Sequence, residues 1–170
     1  MEFDENKNND KEYVLEKVKE KGSLLDLVSE ELKDDKEVVM EAIKADGNAL
    51  EFASGRLKDD KDVVLTAVKE VGWVVCYASE DLKADKEVIL EGCKIDGQVL
   101  YYASKELRDD KEVVLEAVKN KGIIVKYASE RLLRDNDIII AALTQNKKAS
   151  IFIPIECRER EEIKAVLEGE

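Results

Sequence analysis

The chain has 170 residues, 44% of them hydrophobic and 40% charged, with a single proline and a net charge of −12. This length and apolar content suffice for one domain with a buried core. The acidic balance disfavours nucleic acid and anionic lipid as partners, because proteins bind both through clustered Lys and Arg. The sequence has no histidine, the commonest general base and transition-metal ligand, which disfavours most hydrolases and zinc enzymes.

The first residues are polar, without the apolar stretch of a secretory signal, and no apolar run is long enough to span a bilayer. We therefore expect a cytoplasmic protein that does not enter the membrane, while export by a signal-independent route stays open. The odd number and wide spacing of Cys76, Cys93 and Cys157 match neither a disulfide framework nor a metal-binding knuckle. They are predicted to be reduced thiols.

The sequence repeats itself every 25 residues without a gap, and such internal periods are typical of repeat architectures. The recurring positions are Asp10, Asp35, Asp60, Asp85, Asp110 and Asp135; Gly22, Gly47, Gly72, Gly97 and Gly122; and Ser29, Ser54, Ser79, Ser104 and Ser129.

One unit predicts two short amphipathic helices. Helix A, Lys36 to Lys44, follows the N-capping residue Asp35 and precedes Gly47, which we expect to end it with a positive φ. Helix B extends roughly from Asn48 to Lys58. The apolar residues fall on one face of each helix, at Val38, Val39, Ala42 and Ile43, and at Ala49, Leu50, Ala53 and Leu57.

Helices of two to three turns are unstable alone, so neighbouring units must stack. The predicted fold is an all-α solenoid of about five to six 25-residue helix-turn-helix repeats. Its predicted parts are a polar N-terminal tail (1–9), the repeat domain (10–157) and a C-terminal capping helix (158–170). A long coiled coil is disfavoured, since it needs a sustained seven-residue period without recurring glycine.

Both ends depart from the repeat. Lys17 occupies a slot that is otherwise small, and Leu27 replaces an aromatic residue, as expected of a first unit whose outer side faces solvent. In the sixth unit Lys147 replaces glycine and Pro154 replaces serine, so its second helix should be short or irregular.

The strings DKEVVLEAVKNKG (110–122), YASERLLRD (127–135) and DDKEVVMEAIKADGNALEFAS (34–54) resemble the repeat family called domain of unknown function 4116. The resemblance covers roughly residues 10–157. It implies tandem helical repeats and leaves function open, because the family has no established biochemical activity.

Slots that every unit keeps are expected to be structural. The aromatic series at Phe52 and Tyr77 is expected to space adjacent units, and the serine series to allow close helix approach, with phosphorylation as the alternative. The acidic clusters, such as Asp34, Asp35 and Glu37, lack the pattern of a calcium loop, and their repetition favours helix capping over glycosidase-like catalysis.

Slots that vary are candidates for recognition. On the outer side of helix B the middle units carry apolar and aromatic residues, and exposed patches of this kind usually mark interaction sites. The alternative is that Trp73 lies in the groove between units and serves packing. The candidate partner-binding residues are Trp73, Cys76, Tyr101, Ile123 and Lys126.

We therefore expect a non-enzymatic module that binds a protein or peptide through this surface, as a monomer. The acidic composition favours a basic or amphipathic partner segment. The alternative is a structural spacer or self-associating scaffold. No catalytic, cofactor or metal site is predicted.

Overall fold

The structure, a computed structural model, describes residues 3–169, which form helices and turns and no strand. Residues 1, 2 and 170, the outermost parts of the predicted tail and capping helix, lie outside the described residues. The all-helical class with 25-residue tandem repeats is confirmed. Among the described residues, no helix is both long and apolar enough to cross a membrane.

Each repeat begins with a ten-residue α-helix, continues into a 3₁₀ helix and ends in a short helical turn. The α-helices are α1 (Lys11–Glu20), α2 (Glu30–Lys33), α3 (Lys36–Ala45), α4 (Lys61–Glu70), α5 (Glu80–Lys83), α6 (Lys86–Ile95), α7 (Lys111–Asn120), α8 (Asn136–Gln145), α9 (Ile155–Arg158) and α10 (Glu161–Glu168). The 3₁₀ helices are η1 (Glu5–Lys7), η2 (Gly22–Leu27), η3 (Gly47–Phe52), η4 (Leu57–Asp59), η5 (Gly72–Tyr77), η6 (Gly97–Tyr101), η7 (Leu107–Asp109), η8 (Gly122–Tyr127), η9 (Leu132–Arg134) and η10 (Lys147–Phe152).

The predicted helix A is confirmed in start, cap and buried face. The Asp35 carboxylate accepts hydrogen bonds from the amides of Glu37 (3.0 Å) and Val38 (3.3 Å) and so caps α3. The helix ends at Ala45. Its four predicted apolar residues are fully buried.

Helix A does not end in the predicted way. Gly169 is the only residue with a positive φ in the described chain, so Gly47 does not supply a left-handed cap. The glycines are needed for space: a Cβ at Gly122 would collide with the carbonyl oxygen of Ala142, one repeat further on. At Gly47 it would lie 3.1 Å from the carbonyl oxygen of Ala67. Close approach between repeats therefore fixes this slot.

The prediction of one continuous helix B is wrong. The chain forms η3, leaves helical geometry at Ala53 (φ −64°, ψ 154°) and starts a new turn after Ser54. The Ser54 amide donates to the carbonyl of Lys33 in the preceding repeat (3.0 Å), while its hydroxyl accepts from the Leu57 amide (3.2 Å). A backbone amide used between repeats cannot extend a helix, so the second helix is split.

The serine series therefore joins repeats rather than only allowing close packing. The hydroxyl of Ser79 donates to Asp59, twenty residues earlier, at 2.5 Å. Ser54 and Ser129 make the same bond to Asp34 and Asp109. Each hydroxyl thus serves as a helix cap and as a cross-repeat donor.

The chain divides into two compact units, Met1–Leu82 and Lys83–Glu170, hereafter unit 1 and unit 2. In unit 1, α3 packs between α1 and α4, and η3 packs between η2 and η5. In unit 2, α7 packs between α6 and α8, and η8 packs between η6 and η10. Each unit thus has one layer of α-helices against one layer of 3₁₀ helices, with the apolar core between them.

At the start of unit 1 the outward-facing prediction for Lys17 is wrong. This residue is only 4% exposed, because the N-terminal segment folds back over α1. Phe3 packs against Tyr13 at 5.6 Å between ring centroids, and the Asp4 amide donates to the Tyr13 hydroxyl at 2.7 Å. The Lys17 ammonium pairs with Glu16 at 2.7 Å and lies over the Tyr13 ring. Burying the long stem while pairing the charge makes this position tolerable.

Within each unit, a ladder of ion pairs joins successive α-helix starts. In unit 1, Lys36 lies 2.7 Å from the capping carboxylate of Asp60. In unit 2, Lys111 bridges Asp135 (2.9 Å) and Asp137 (2.7 Å) at the start of α8. The aspartates thus combine helix capping with cross-repeat pairing.

At the end of unit 2, α10 lies in the register of a seventh helix A and packs on α8. Arg160 takes the slot of the capping aspartate and donates to the carbonyl of Arg134 at 2.9 Å. Ile163 is fully buried, whereas Lys164 and Glu168 occupy slots that are apolar in the complete repeats. Polar residues there fit the exposed side of a terminal helix.

Candidate functional site

In each unit, the exposed side of the 3₁₀ layer carries the residues that vary between repeats. In a 3₁₀ helix, residues three apart lie one above the other, so each helix presents an i, i+3 pair to solvent. In η8 the residues Ile124 and Val125 are buried, which directs Ile123 and Lys126 outward. The same geometry places Gln98 with Tyr101 on η6 in unit 2, and Trp73 with Cys76 on η5 in unit 1.

In unit 2 the pairs on η6 and η8 border a cavity of about 200 Å³. Six of its lining residues are Gln98, Tyr101, Lys121, Ile123, Lys126 and Tyr127. Tyr101 is 51% exposed, and its ring lies 5.0 Å from that of Tyr127 in the next repeat. Three of the predicted residues, Tyr101, Ile123 and Lys126, therefore surround one cavity.

Two lysines give the cavity its charge. The Lys121 ammonium donates to the Gln98 side-chain oxygen at 2.5 Å, across the boundary between repeats. The Lys126 ammonium lies 4.7 Å from the centroid of the Tyr127 ring. Both contacts are to neutral groups, and none of the residues that line the cavity is acidic.

Trp73 and Cys76 lie in unit 1. Trp73 is 39% exposed and packs one side of its ring against Tyr77, at 5.7 Å between centroids. The side chain is thus part of the surface, and it also contacts its own 3₁₀ helix. Cys76 is half-buried.

The other two cysteines are core residues. Cys93 and Cys157 are fully buried. Burial, helped by the nearby carboxylate of Glu116, raises the pKa of the Cys93 thiol to about 12. A thiol that remains protonated at neutral pH is a poor nucleophile, so Cys93 serves packing.

Sequence reasoning missed Lys121 as part of the site. Its slot precedes the 3₁₀ helix, and in three other repeats an Asp or Asn there caps that helix. Asp96, for example, accepts from the Gln98 amide at 2.9 Å. Lysine cannot cap, and it reaches back to the preceding repeat instead. The residue in this slot varies between repeats, and this variation could have identified Lys121 as a candidate from the sequence.

Two exposed isoleucines were also missed. Ile151 on η10 is 70% exposed and Ile155 on α9 is 68% exposed. Ile151 occupies the same slot as Tyr101 and Lys126. Extending the comparison of slots to the irregular sixth repeat would therefore have identified it.

The repeated acidic clusters have structural partners. Asp35 and Asp110 cap helices and accept from Lys11 and Lys86, both at 2.7 Å. The predicted capping role is confirmed at these positions. Among residues 3–169, no group of three or more Asp, Glu or Cys side chains is arranged to hold a metal ion.

A comparison with family models matches residues 10–58, 36–83, 60–108 and 110–158 to the family described as Domain of unknown function (DUF4116). Each match spans about two of the 25-residue repeats. Comparisons with curated proteins and with solved structures find no match. Because the matched segments follow the repeats and together cover most of the chain, this protein belongs to the DUF4116 family.

Proposed function

We propose that this protein is a non-enzymatic protein- or peptide-interaction module whose binding surface is the exposed 3₁₀ layer of unit 2. The cavity between η6 and η8 carries the proposal, because it combines exposed aromatic and aliphatic surface with polar groups at its edge. Clustered exposed apolar surface with a polar rim is typical of interaction sites.

The size of the cavity favours a side chain over a free small molecule. Pockets for drug-sized ligands measure roughly 300–1,000 Å³, whereas this cavity measures about 200 Å³. A single aromatic or branched side chain, presented by an extended partner segment, fits this volume. Tyr101 and Ile123 are the residues that such a side chain would contact.

Selection of displayed random peptides on the protein tests the proposal. We expect selected peptides to bind the Tyr101→Ala/Ile123→Ala variant more weakly by roughly a factor of 30, or about 2 kcal/mol. Ile95→Ala is the matched control, because Ile95 is equally exposed in unit 2 (50%) and does not line the cavity. Peptides that bind all three proteins equally would show that the cavity is not the site.

Trp73 is a separate candidate anchor in unit 1. Trp73→Ala should weaken partner binding with little change in melting temperature, because its ring is partly exposed. A large loss of melting temperature with unchanged binding would assign Trp73 to packing against Tyr77.

We further propose a cytoplasmic location, supported by two cysteines that serve as buried apolar residues rather than in disulfides.

A structural spacer or self-associating scaffold is the second candidate, favoured by the exposure of Ile151 and Ile155 near the end of unit 2. Sedimentation equilibrium would then detect association that the Ile151→Ser/Ile155→Ser variant abolishes. A wild-type protein that is monomeric at every concentration excludes self-association.

A further inference from the structure

The net charge of the chain is not distributed evenly, and this bears on the partner of the proposed interaction surface. Unit 1 holds 12 Lys and Arg against 22 Asp and Glu, whereas unit 2 holds 16 against 18. Within unit 2, residues 117–155 carry seven Lys and Arg and only three Asp and Glu. The acidity of the whole chain therefore does not describe the surface around η8 and η10.

The lysines at the cavity also differ from those of the ion-pair ladder. Lys86 and Lys111 in the same unit each bridge two carboxylates. Among the described residues, no carboxylate pairs with Lys121 or Lys126. The two ammonium groups at the cavity thus have neutral partners, and a bound carboxylate would form the first ion pair with either of them.

The charge of the cavity disfavours a cationic ligand. A Lys or Arg side chain entering the cavity would be repelled by two ammonium groups. The face of the Tyr127 ring, which could otherwise attract a cation, already lies under Lys126. Charge complementarity at this site therefore favours an anion, although the composition of the whole chain favours a basic partner.

We infer, on the basis of the proposed function, that the cavity accepts an aromatic side chain from an acidic peptide segment of a partner protein. The aromatic ring packs on Tyr101 and Ile123. Carboxylates that flank it in the partner sequence pair with Lys121 and Lys126. Apolar contact supplies the affinity, and the two lysines select the charge of the flanking residues.

Fluorescence anisotropy with labelled synthetic peptides of equal length tests this inference. Their cores are Asp-Phe-Asp, Lys-Phe-Lys and Asp-Gly-Asp. We expect the Asp-Phe-Asp peptide to bind the full-length protein most tightly, and added salt to weaken it. The Lys121→Gln/Lys126→Gln variant should bind it roughly tenfold more weakly. Lys119→Gln, which removes an exposed lysine of α7 that does not line the cavity, should bind as the wild type.

The outcomes separate this inference from the proposed function. If the Lys-Phe-Lys peptide binds as tightly as the Asp-Phe-Asp peptide or more tightly, and Tyr101→Ala abolishes that binding, the charge assignment fails and the peptide site stands. If no peptide with a phenylalanine core binds, both fail. If a single-stranded oligonucleotide competes with the acidic peptide and binds more tightly through the same lysines, the partner is a nucleic acid and the inference is overturned.

Discussion

The glycine of each repeat illustrates how one residue can be fixed by a neighbour that is distant in sequence. Gly122 faces the carbonyl oxygen of Ala142, and its amide donates to the side-chain oxygen of Gln145 at 2.6 Å. Gly97 faces the carbonyl of Ala117 in the same way. Nothing in the local sequence distinguishes this use of glycine from a helix cap, which explains why its φ was predicted wrongly.

A prediction at this scale compares two glycines. Gly122→Ala should lower the free energy of unfolding by about 1–3 kcal/mol, because the added methyl group forces the repeats apart. Gly55→Ala is the control, since no atom beyond the two adjacent residues lies within 4 Å of the added Cβ. It should be neutral or stabilising by roughly 0.4–1 kcal/mol through the unfolded chain. Urea denaturation measures both, and equal effects would contradict the packing explanation.

At the level of elements, the interruption of the second helix at the repeated serine also depends on a contact between repeats. The regular apolar pattern of residues 48–58 fits one helix, and it does not reveal that the Ser54 amide pairs with Lys33. Serine is a strong N-cap, so the recurrence of Ser three residues before Leu was a signal for a new helical turn. The ten-residue α-helices were predictable because their caps and apolar faces are local. The split second helix depends on a contact between repeats.

The candidate site was predictable in part for a similar reason. Tyr101, Ile123 and Lys126 occupy outward slots that a repeat alignment identifies directly. Lys121 enters the cavity only because its long side chain reaches Gln98 in the preceding repeat. The structure was also needed to show that Trp73 and Cys76 lie in unit 1, whereas Tyr101, Ile123 and Lys126 lie in unit 2.

The ion-pair ladder makes the α-helix starts sensitive to acid. Burial alone raises the pKa of Asp135, but hydrogen bonds from Lys111 and from the amides of Ile138 and Asp137 outweigh it and hold the pKa below its usual 3.8. The same combination of hydrogen bonds lowers the pKa values of Asp35, Asp60 and Asp110. A lowered folded-state pKa contributes stability that is present above pH 3.8 and lost as the pH falls below it.

Asp135→Asn tests this linkage. Asparagine still caps α8 but cannot form the ion pair with Lys111, so the melting temperature at neutral pH should fall modestly, by the stability that the carboxylate contributes there. Below pH 3.8 the variant should lose stability less steeply than the wild type, because one linked carboxylate is gone. Thermal unfolding followed by circular dichroism from neutral pH into acid measures the slopes. Parallel curves would show that this carboxylate does not contribute to acid unfolding.

For the molecule as a whole, the uneven charge predicts different responses of the two units to salt. Unit 1 has an excess of ten negative charges and unit 2 an excess of two. Self-repulsion destabilises a compact region, and salt screens it over about 10 Å at 0.1 M.

Hydrogen exchange should report this difference. Added sodium chloride is expected to increase the amide protection of α1, α3 and α4 more than that of α6, α7 and α8. The intact protein is exchanged at low and at high salt and then digested, and mass spectrometry of the peptides measures the protection of each helix. Equal gains in both sets of helices would mean that net charge does not govern their stability.

The fixed spacing of the cross-repeat bonds also governs which changes of length the protein can accept. Serine hydroxyls reach back 20 residues and lysines reach forward 24 or 26. Removing or adding a single residue inside a repeat would put every such bond that spans this repeat out of register. Duplication or loss of a complete 25-residue segment would preserve the spacing on which these bonds depend. We therefore expect the fold to tolerate the gain or loss of whole repeats better than an insertion or deletion of one or a few residues within a repeat.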